Sequence, residues 1–209
     1  MAEQANSAQQ GEIAVADDTR RTVRRRGRRR EILLAEAARL FYERGYGSVG
    51  IDEIGDAAGI SGPAVYKHFP SKQAILAAVI EQALERVREH IDEALAEPRP
   101  PQEQLAAFLR SQVEAAFHVR HVIPLGRADF AHLDPPDQQR LRREMRLILQ
   151  EWSHLIVETR PELSEAEARA LALGAQGLIH FMIRMGDSLD RERLAQRAFE
   201  AAHGALQPL

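Results

Sequence analysis

The 209-residue chain is 44% hydrophobic and 28% charged, carries a net charge of −3 and contains no cysteine. It has no apolar run of about 18 residues and no apolar leader, so the sequence predicts no membrane span, no secretory signal and a cytoplasmic location. The lack of cysteine excludes disulfides and thiol chemistry. Residues 20–72 hold 12 basic and 6 acidic side chains. This local excess of positive charge indicates a polyanionic partner for the N-terminal part of the chain.

Two segments of biased composition open the chain. Residues 1–19 are rich in Ala, Gln, Asp and Glu and have little to bury, which predicts a disordered tail. Residues 20–30 contain eight arginines. A solvated charge run is one interpretation. We favour a basic arm that binds phosphates independently of sequence, because a helical segment follows at once.

From Arg28 onward the apolar side chains fall on one face of an amphipathic helix, which ends at Gly45. This face consists of Leu33, Ala37, Leu40 and Phe41. A short helix is then predicted across residues 50–59, where acidic side chains favour the positive end of the helix.

Two serines mark the starts of the next helices. Ser61 is a good N-cap for a helix with Gly62 in its first turn, and the Phe69-Pro70 pair ends that helix because a residue before proline avoids the α region. Ser71 caps a longer helix that ends before the sequence "EPRPP".

The rest of the chain also has helical periodicity. Helices are predicted at about 103–119, at about 124–132, from residue 135, from Ser164 and at about 190–204. No segment alternates as a strand does. The sequence therefore predicts an all-α protein of roughly nine helices, with a tail (1–19), a DNA-binding region (20–76) and a larger helical region (77–209).

The two short helices around "AAGIS" form a helix-turn-helix pattern. In this motif the second helix enters the major groove, with its N-terminal residues nearest the base edges. Small residues at that start would allow close approach to DNA. The polar side chains of Tyr66, Lys67 and His68 follow at the other end, where they can contact phosphates. Complete burial of the Tyr66 ring is the alternative.

Residues 28–80 resemble the DNA-binding domain of the TetR family of bacterial repressors. The family pattern Ile-Ala-x-x-Ala-Gly-Val-Ser, followed by Tyr-x-His-Phe and Ser-Lys, corresponds here to "IGDAAGISGPAVYKHFPSK". The resemblance implies a homodimer with three DNA-binding helices in each subunit, a fourth helix that transmits a signal, and a C-terminal domain that binds a small effector. The predicted DNA-binding residues are Arg28, Gly50, Ser61, Gly62, Pro63, Ala64, Tyr66, Lys67, His68 and Lys72.

Within that set, the resemblance implies phosphate contacts for Tyr66, His68 and Lys72. It implies positions nearest the bases for Gly62, Pro63, Ala64 and Lys67. The chain departs from the family where Val49 and Gly50 replace threonines and where Gly55 replaces an alanine. Because the second helix has almost no side chain for direct readout, we expect specificity to rest on Lys67, the arginine arm and DNA shape.

An effector pocket is expected between helices of the C-terminal region, where apolar walls would carry a few polar groups. The candidates are Phe108, Phe117, His121, Arg127, Phe130, Trp152, His180, Phe181 and Arg184. Ordinary core or surface positions are the alternative for each of them. The arginines favour an apolar, anionic effector such as a fatty acid or an acyl-coenzyme A thioester.

The helices at 164–186 and 190–204 are predicted to form the dimer interface, because the first is rich in apolar and small residues. The predicted interface residues are Ala170, Gly174, Gly177, Leu178 and Phe199; burial within one subunit is the alternative. His118 and His121 share a helix face, yet no carboxylate cluster accompanies them, so the sequence predicts no metal site and no cofactor.

No nucleophile elbow, phosphate loop, dinucleotide fingerprint or His-Glu-x-x-His motif is present, so the sequence does not predict an enzyme. The favoured function is a ligand-responsive repressor that binds a palindromic operator as a dimer and is released by its effector. The alternative is an architectural or constitutive DNA-binding protein without an effector.

Overall fold

The computed structural model describes residues 27–123, 127–186 and 188–208, with only the backbone at residues 127 and 128. These residues are helical or irregular and contain no strand. The prediction of an all-α fold is confirmed, and roughly nine helices is close to the number in the described residues. The predicted tail and residues 20–26 of the arm lie outside them.

The chain divides into two compact units between Ile75 and Leu76. The division falls inside one long helix. The finer region boundaries remain predictions.

The first unit is a small helical cluster. It contains α1 (residues 27–44), a 3-10 turn (Tyr46–Ser48), α2 (Ile51–Ala57), α3 (Gly62–Val65) and the first residues of α4 (Lys72–Leu95). The predicted apolar face of α1 is buried at Leu33, Ala37, Leu40 and Phe41. The helix ends because Gly45 adopts a positive φ of 79°, which other residues rarely tolerate.

The second unit packs the rest of α4 with further helices. These are α5 (Pro101–Val119), α6 (Arg127–Phe130), α7 (Pro135–Thr159), α8 (Glu165–Met185) and α9 (Arg191–Leu206). Proline occupies the first turn of α5 and α7, where its missing N–H is not needed. The predicted capping box is present at α8, because the Ser164 hydroxyl accepts from the Glu167 amide and the Glu167 carboxylate accepts from the Ser164 amide.

The core of the second unit is built on an aromatic pair and on small residues. Phe108 and Trp152 are both fully buried and meet edge to face, with ring centres 5.0 Å apart. Buried alanines such as Ala172 on α8 and Ala198 on α9 allow these helices to approach closely. This packing fixes the helices that surround the cavity described below.

Candidate DNA-binding surface and effector cavity

The helix-turn-helix is closed by a left-handed glycine and by close packing of α2 on α3. Gly59 has a φ of 69°, and the amide of Ile60 donates to the carbonyl oxygen of Gly55 at 2.9 Å. Ile54 of α2 and Val65 of α3 are fully buried. The sequence "AAGIS" thus turns the chain sharply, and the two apolar side chains hold the helices together.

Two glycines allow this close approach. A Cβ on Gly55 would lie 2.8 Å from the carbonyl oxygen of Ile60, and a Cβ on Gly62 would lie 1.7 Å from Oδ1 of Asp52. The glycine that replaces the family's alanine at position 55 therefore lets the turn pack directly on α2.

The residues at the start of α3 offer few polar side chains for contact with DNA. Ser61 is at the N-cap position, but its side chain makes no capping hydrogen bond. Gly62 is buried, Pro63 is exposed and Ala64 is half-buried. The helix is shorter than predicted, because its last helical residue is Val65 and a turn follows.

The polar cluster after α3 lies in that turn. Tyr66 is 56% exposed, which excludes the alternative that its ring is wholly buried. Lys67 is exposed and His68 is half-buried. The amides of Lys67 and His68 still donate to Ala64 and Val65, at 3.2 and 2.8 Å, so the turn continues directly from the helix. These side chains remain predicted DNA contacts.

Gly50 and Lys72 already have partners within the first unit. The Gly50 amide donates to Oε2 of Glu53 at 2.7 Å, so it is occupied by the carboxylate that caps α2. This bond, and then the ion pair with Arg44, hold the pKa of Glu53 below its ordinary value. The Lys72 ammonium group donates to the carbonyl oxygens of Tyr46 and Val49, both at 2.8 Å.

Only the end of the basic arm is described. Arg28 lies exposed in the first turn of α1. Arg30 lies over the ring of Phe69 at 5.2 Å, a cation–π contact that also joins α1 to the turn before α4. The phosphate contact proposed for Arg28 remains a prediction.

The second unit contains a cavity of about 370 Å³, a volume typical of a small-ligand site. Its walls come from α4, α5, α7 and α8 and from the turn after α5. They are mostly aliphatic, as at Leu84, Val87, Ala115, Ala116, Ile148 and Leu149. The alanines of the lining, Ala83 on α4 and Ala115 and Ala116 on α5, fill little of this space.

Four polar side chains border this cavity: Gln112, Arg146, Gln176 and His180. Gln112 is buried and its amide nitrogen lies 3.4 Å from the Ser111 hydroxyl. Burial lowers the pKa of His180 to about 4, so this imidazole is neutral at pH 7. Arg146 is exposed and therefore lies at the rim. The cavity thus combines an apolar body, neutral hydrogen-bonding groups and one cation.

Of the predicted effector residues, His180 lines the cavity and the aromatic candidates do not. Trp152 is fully buried in the core, so its prediction as a pocket residue is wrong, and its Nε1 has no partner among the described residues. Phe108 is core as well. Phe130 is buried beneath Arg142, and Phe117 packs beneath Arg191.

The other candidates lie elsewhere. Phe181 is 57% exposed on α8, and Arg184 is exposed beside it. His121 is half-buried in the turn after α5, where it accepts from Arg120 at 3.2 Å. The side chain of Arg127 is outside the described residues. Gln112 and Gln176 also line the cavity but were not predicted, because their only signal is an amide amid apolar residues at helical spacing.

An exposed apolar face runs along α8. It consists of Ala170, Leu173, Gly174, Gly177, Phe181 and Met185, with Leu178 half-buried at its edge. A Cβ added to Gly174 or Gly177 would meet nothing within 4 Å, so this part of the face is open. Phe199 differs: it is 9% exposed and packs in the core under Arg110, so its prediction as an interface residue needs correction.

In the residues that the structure describes, no group of three or more possible metal-ligating side chains comes together. His118 instead pairs with His90 on α4, with Nδ1 and Nε2 3.2 Å apart. Within the same described segments, no helix is both long enough and apolar enough to cross a bilayer.

Comparisons with known proteins are consistent with the helix-turn-helix described above. Residues 33–79 match the family described as "Bacterial regulatory proteins, tetR family". The chain is 37% identical over 119 residues to the transcriptional activator FasR of Mycolicibacterium smegmatis, an alignment that covers 56% of this chain and 52% of FasR. The chain thus spans about half the length of this curated relative.

Solved structures match more of the chain at lower identity. A TetR-family regulator from Bordetella parapertussis 12822 superposes with a TM-score of 0.73 at 19% identity, covering 83% of this chain and 93% of that one. AibR, solved in complex with isovaleryl coenzyme A and operator DNA, gives a TM-score of 0.70 at 18% identity, covering 83% and 97%. At these identities the likeness concerns the fold.

Proposed function

We propose that the chain is a ligand-responsive transcriptional regulator of the TetR family that binds a palindromic operator as a dimer; the match of residues 33–79 to the family model supports this proposal. Members of this family are DNA-binding regulators, in agreement with the prediction that the chain is not an enzyme. The observation that carries the proposal is the position of α4. This helix begins at Lys72, directly after the helix-turn-helix, and supplies Leu84 and Val87 to the cavity wall.

In this proposal α3 enters the major groove, and Tyr66, Lys67 and His68 contact the DNA around it. The arginine arm contributes phosphate contacts, which would make binding strongly salt-dependent. Lys72 has two of its three N–H groups on backbone carbonyls, so one remains for a phosphate.

The cavity suits an effector with an apolar body. An aliphatic chain would contact Leu84, Ile148 and their neighbours, while neutral Gln112 and His180 would orient a carbonyl or hydroxyl group. Arg146 at the rim would attract an anionic head group. A fatty acid or an acyl-coenzyme A thioester combines these features, and AibR was solved with an acyl-coenzyme A.

Dimerisation is proposed to use the exposed face of α8. Apolar side chains and open glycines on one helix face allow a second copy to approach closely. Two subunits would place their α3 helices on half-sites about 34–36 Å apart or a multiple of that. Regulation follows if the effector favours one position of α4, because only one separation of the two α3 helices fits the operator.

Repression is the simplest outcome, since an operator-bound dimer blocks access to the promoter. FasR is named an activator, so the direction needs its own measurement, namely reporter expression with and without the regulator gene. The architectural alternative lacks an effector, and its expected solid core is disfavoured by the cavity.

Mass spectrometry of ligand that co-purifies with the native protein tests the effector, and fluorescence anisotropy of an operator duplex tests release. We expect a fatty acid or acyl thioester to raise the melting temperature and to weaken operator binding. Ala115→Phe, which fills the cavity, should abolish both effects and retain DNA binding. Gln150→Phe, at an exposed site on α7, is the matched control. Operator binding that no such ligand changes in the wild type would contradict the proposed release.

A further inference from the structure

The helical residues of α3, Gly62–Val65, carry no polar side chain that could identify a base. Base pairs are distinguished in the major groove by donors and acceptors on their edges. Gly62 and Val65 are buried, and Pro63 and Ala64 can offer only apolar contacts. If α3 enters the groove, hydrogen-bonding groups for its first turn come from Ser61 at the N-cap or from another element.

Asp52 of α2 supplies such a group. The place that a Cβ on Gly62 would occupy lies only 1.7 Å from Asp52 Oδ1. The carboxylate therefore takes the space where the first residue of α3 would have carried a side chain. Asp52 is exposed.

The carboxylate of Asp52 lies in the first turn of α2, where it favours the positive end of the helix, but it has no hydrogen-bond partner there. No described residue hydrogen-bonds or ion-pairs with it, whereas the adjacent Glu53 accepts from Gly50 and from Arg44. The two neighbouring carboxylates thus differ in their partners. Glu53 caps α2, whereas Asp52 points to the start of α3 and has no structural partner in the described segments.

We propose that Asp52 is a specificity-determining residue that accepts a hydrogen bond from the N4 amino group of a cytosine in each half-site. An ionised carboxylate is an acceptor only, so it pairs with the amino donor of cytosine and repels the acceptor atoms of guanine and thymine. A negative charge beside phosphates weakens binding to all DNA, so Asp52 acts mainly by excluding wrong bases. This inference rests on the proposed function, because it requires α3 in the major groove.

The experiment is selection from a randomised duplex library with the full-length wild type, Asp52→Asn and Asp52→Ala. The wild type should select a cytosine at one position of each half-site. Asp52→Asn should shift that position toward adenine, the base that an amide side chain pairs with. Asp52→Ala should lose the preference for cytosine at that position alone, a loss of about tenfold in selectivity. Its affinity for other sequences should stay equal or rise.

Asp56→Asn and Asp56→Ala are the matched controls, because Asp56 is an exposed aspartate on the same helix. They should change overall affinity without changing the selected base. Circular dichroism establishes that each variant is folded, and the near-isosteric Asp52→Asn keeps the test valid if Asp52→Ala unfolds.

If both Asp52 variants selected the wild-type sequence, with affinity altered equally for all duplexes, Asp52 would be a general negative charge and the inference would be overturned. A wild type that selected no sequence at all would instead contradict the proposed function, and the inference with it. The two failures are therefore distinguishable.

Discussion

The ammonium nitrogen of Lys72 donates to the carbonyl oxygen of Tyr46 at 2.8 Å and lies 4.3 Å from the centre of the Tyr46 ring. The same nitrogen donates to the carbonyl oxygen of Val49. The first residue of α4 therefore ties this helix to the turn between α1 and α2, in addition to any contact that it makes with phosphate.

Replacement of Lys72 by Met should lower the free energy of unfolding by about 1–3 kcal/mol, because two carbonyl oxygens lose a charged donor. Urea denaturation followed by circular dichroism measures this loss. Arg143→Met is the control: Arg143 is exposed on α7, so its stability effect should stay within about 0.5 kcal/mol. Equal stability of the two variants would show that the Lys72 bonds contribute nothing measurable.

Gly55→Ala should destabilise the first unit by about 1–3 kcal/mol. Alanine in a helix ordinarily gains about 1 kcal/mol over glycine. Here, however, the new Cβ would lie 2.8 Å from the backbone oxygen of Ile60, and overpacking against a backbone atom costs more than that gain. Gly204→Ala in α9 is the control, since its Cβ meets nothing within 4 Å and should stabilise the chain slightly. Thermal melts of both variants decide the sign.

Gly177→Glu should convert the proposed dimer to monomer. The new side chain extends from an open position on α8, so the subunit itself should fold normally, whereas a charge in an apolar interface is strongly unfavourable. Light scattering after size-exclusion chromatography measures the mass. Gln150→Glu adds the same charge at an exposed position of α7 and should leave the mass unchanged. A Gly177→Glu protein that kept the mass of a dimer would place the interface elsewhere.

Stability should fall between about pH 6.5 and pH 4 because of His180. Its ordinary pKa is 6.5 and burial lowers the pKa to about 4. As the pH falls through this window, the unfolded chain binds a proton that the folded chain does not, and the loss reaches about 3 kcal/mol at most. Above pH 6.5 the residue has no effect.

His180→Gln should flatten the pH dependence across that window in urea titrations. His154→Gln is the control, because His154 is largely exposed beside Glu158. If the two variants retained the same pH profile as the wild type, His180 would not be shielded from water.

The helix-turn-helix was predictable because local signals define it. A glycine turn, a serine before each following helix and an apolar face on α1 depend on neighbours along the chain, and each lies where the sequence indicates. The role of Lys72 was not predictable in this way. Its carbonyl partners are 26 and 23 residues away in the sequence, and only the folded turn brings them together.

The position of the cavity was predicted less well from the sequence, for a similar reason. Large apolar side chains at helical spacing line pockets or fill cores, and the sequence does not distinguish these roles. Trp152 fills the core because Phe108 packs against its ring. The empty space arises instead where Ala115 and Ala116 leave room. Cavities are defined by side chains that are too short, and such positions give no motif.

Leu173 is 51% exposed on the apolar face of α8 and also lines the cavity. The side chain of Leu173 therefore borders both the exposed apolar face of α8 and the cavity. A second subunit packed on that apolar face would restrain Leu173 and thereby the shape of the cavity. Apparent ligand affinity would then vary with total protein concentration, and titrations in dilute and concentrated samples would give different dissociation constants.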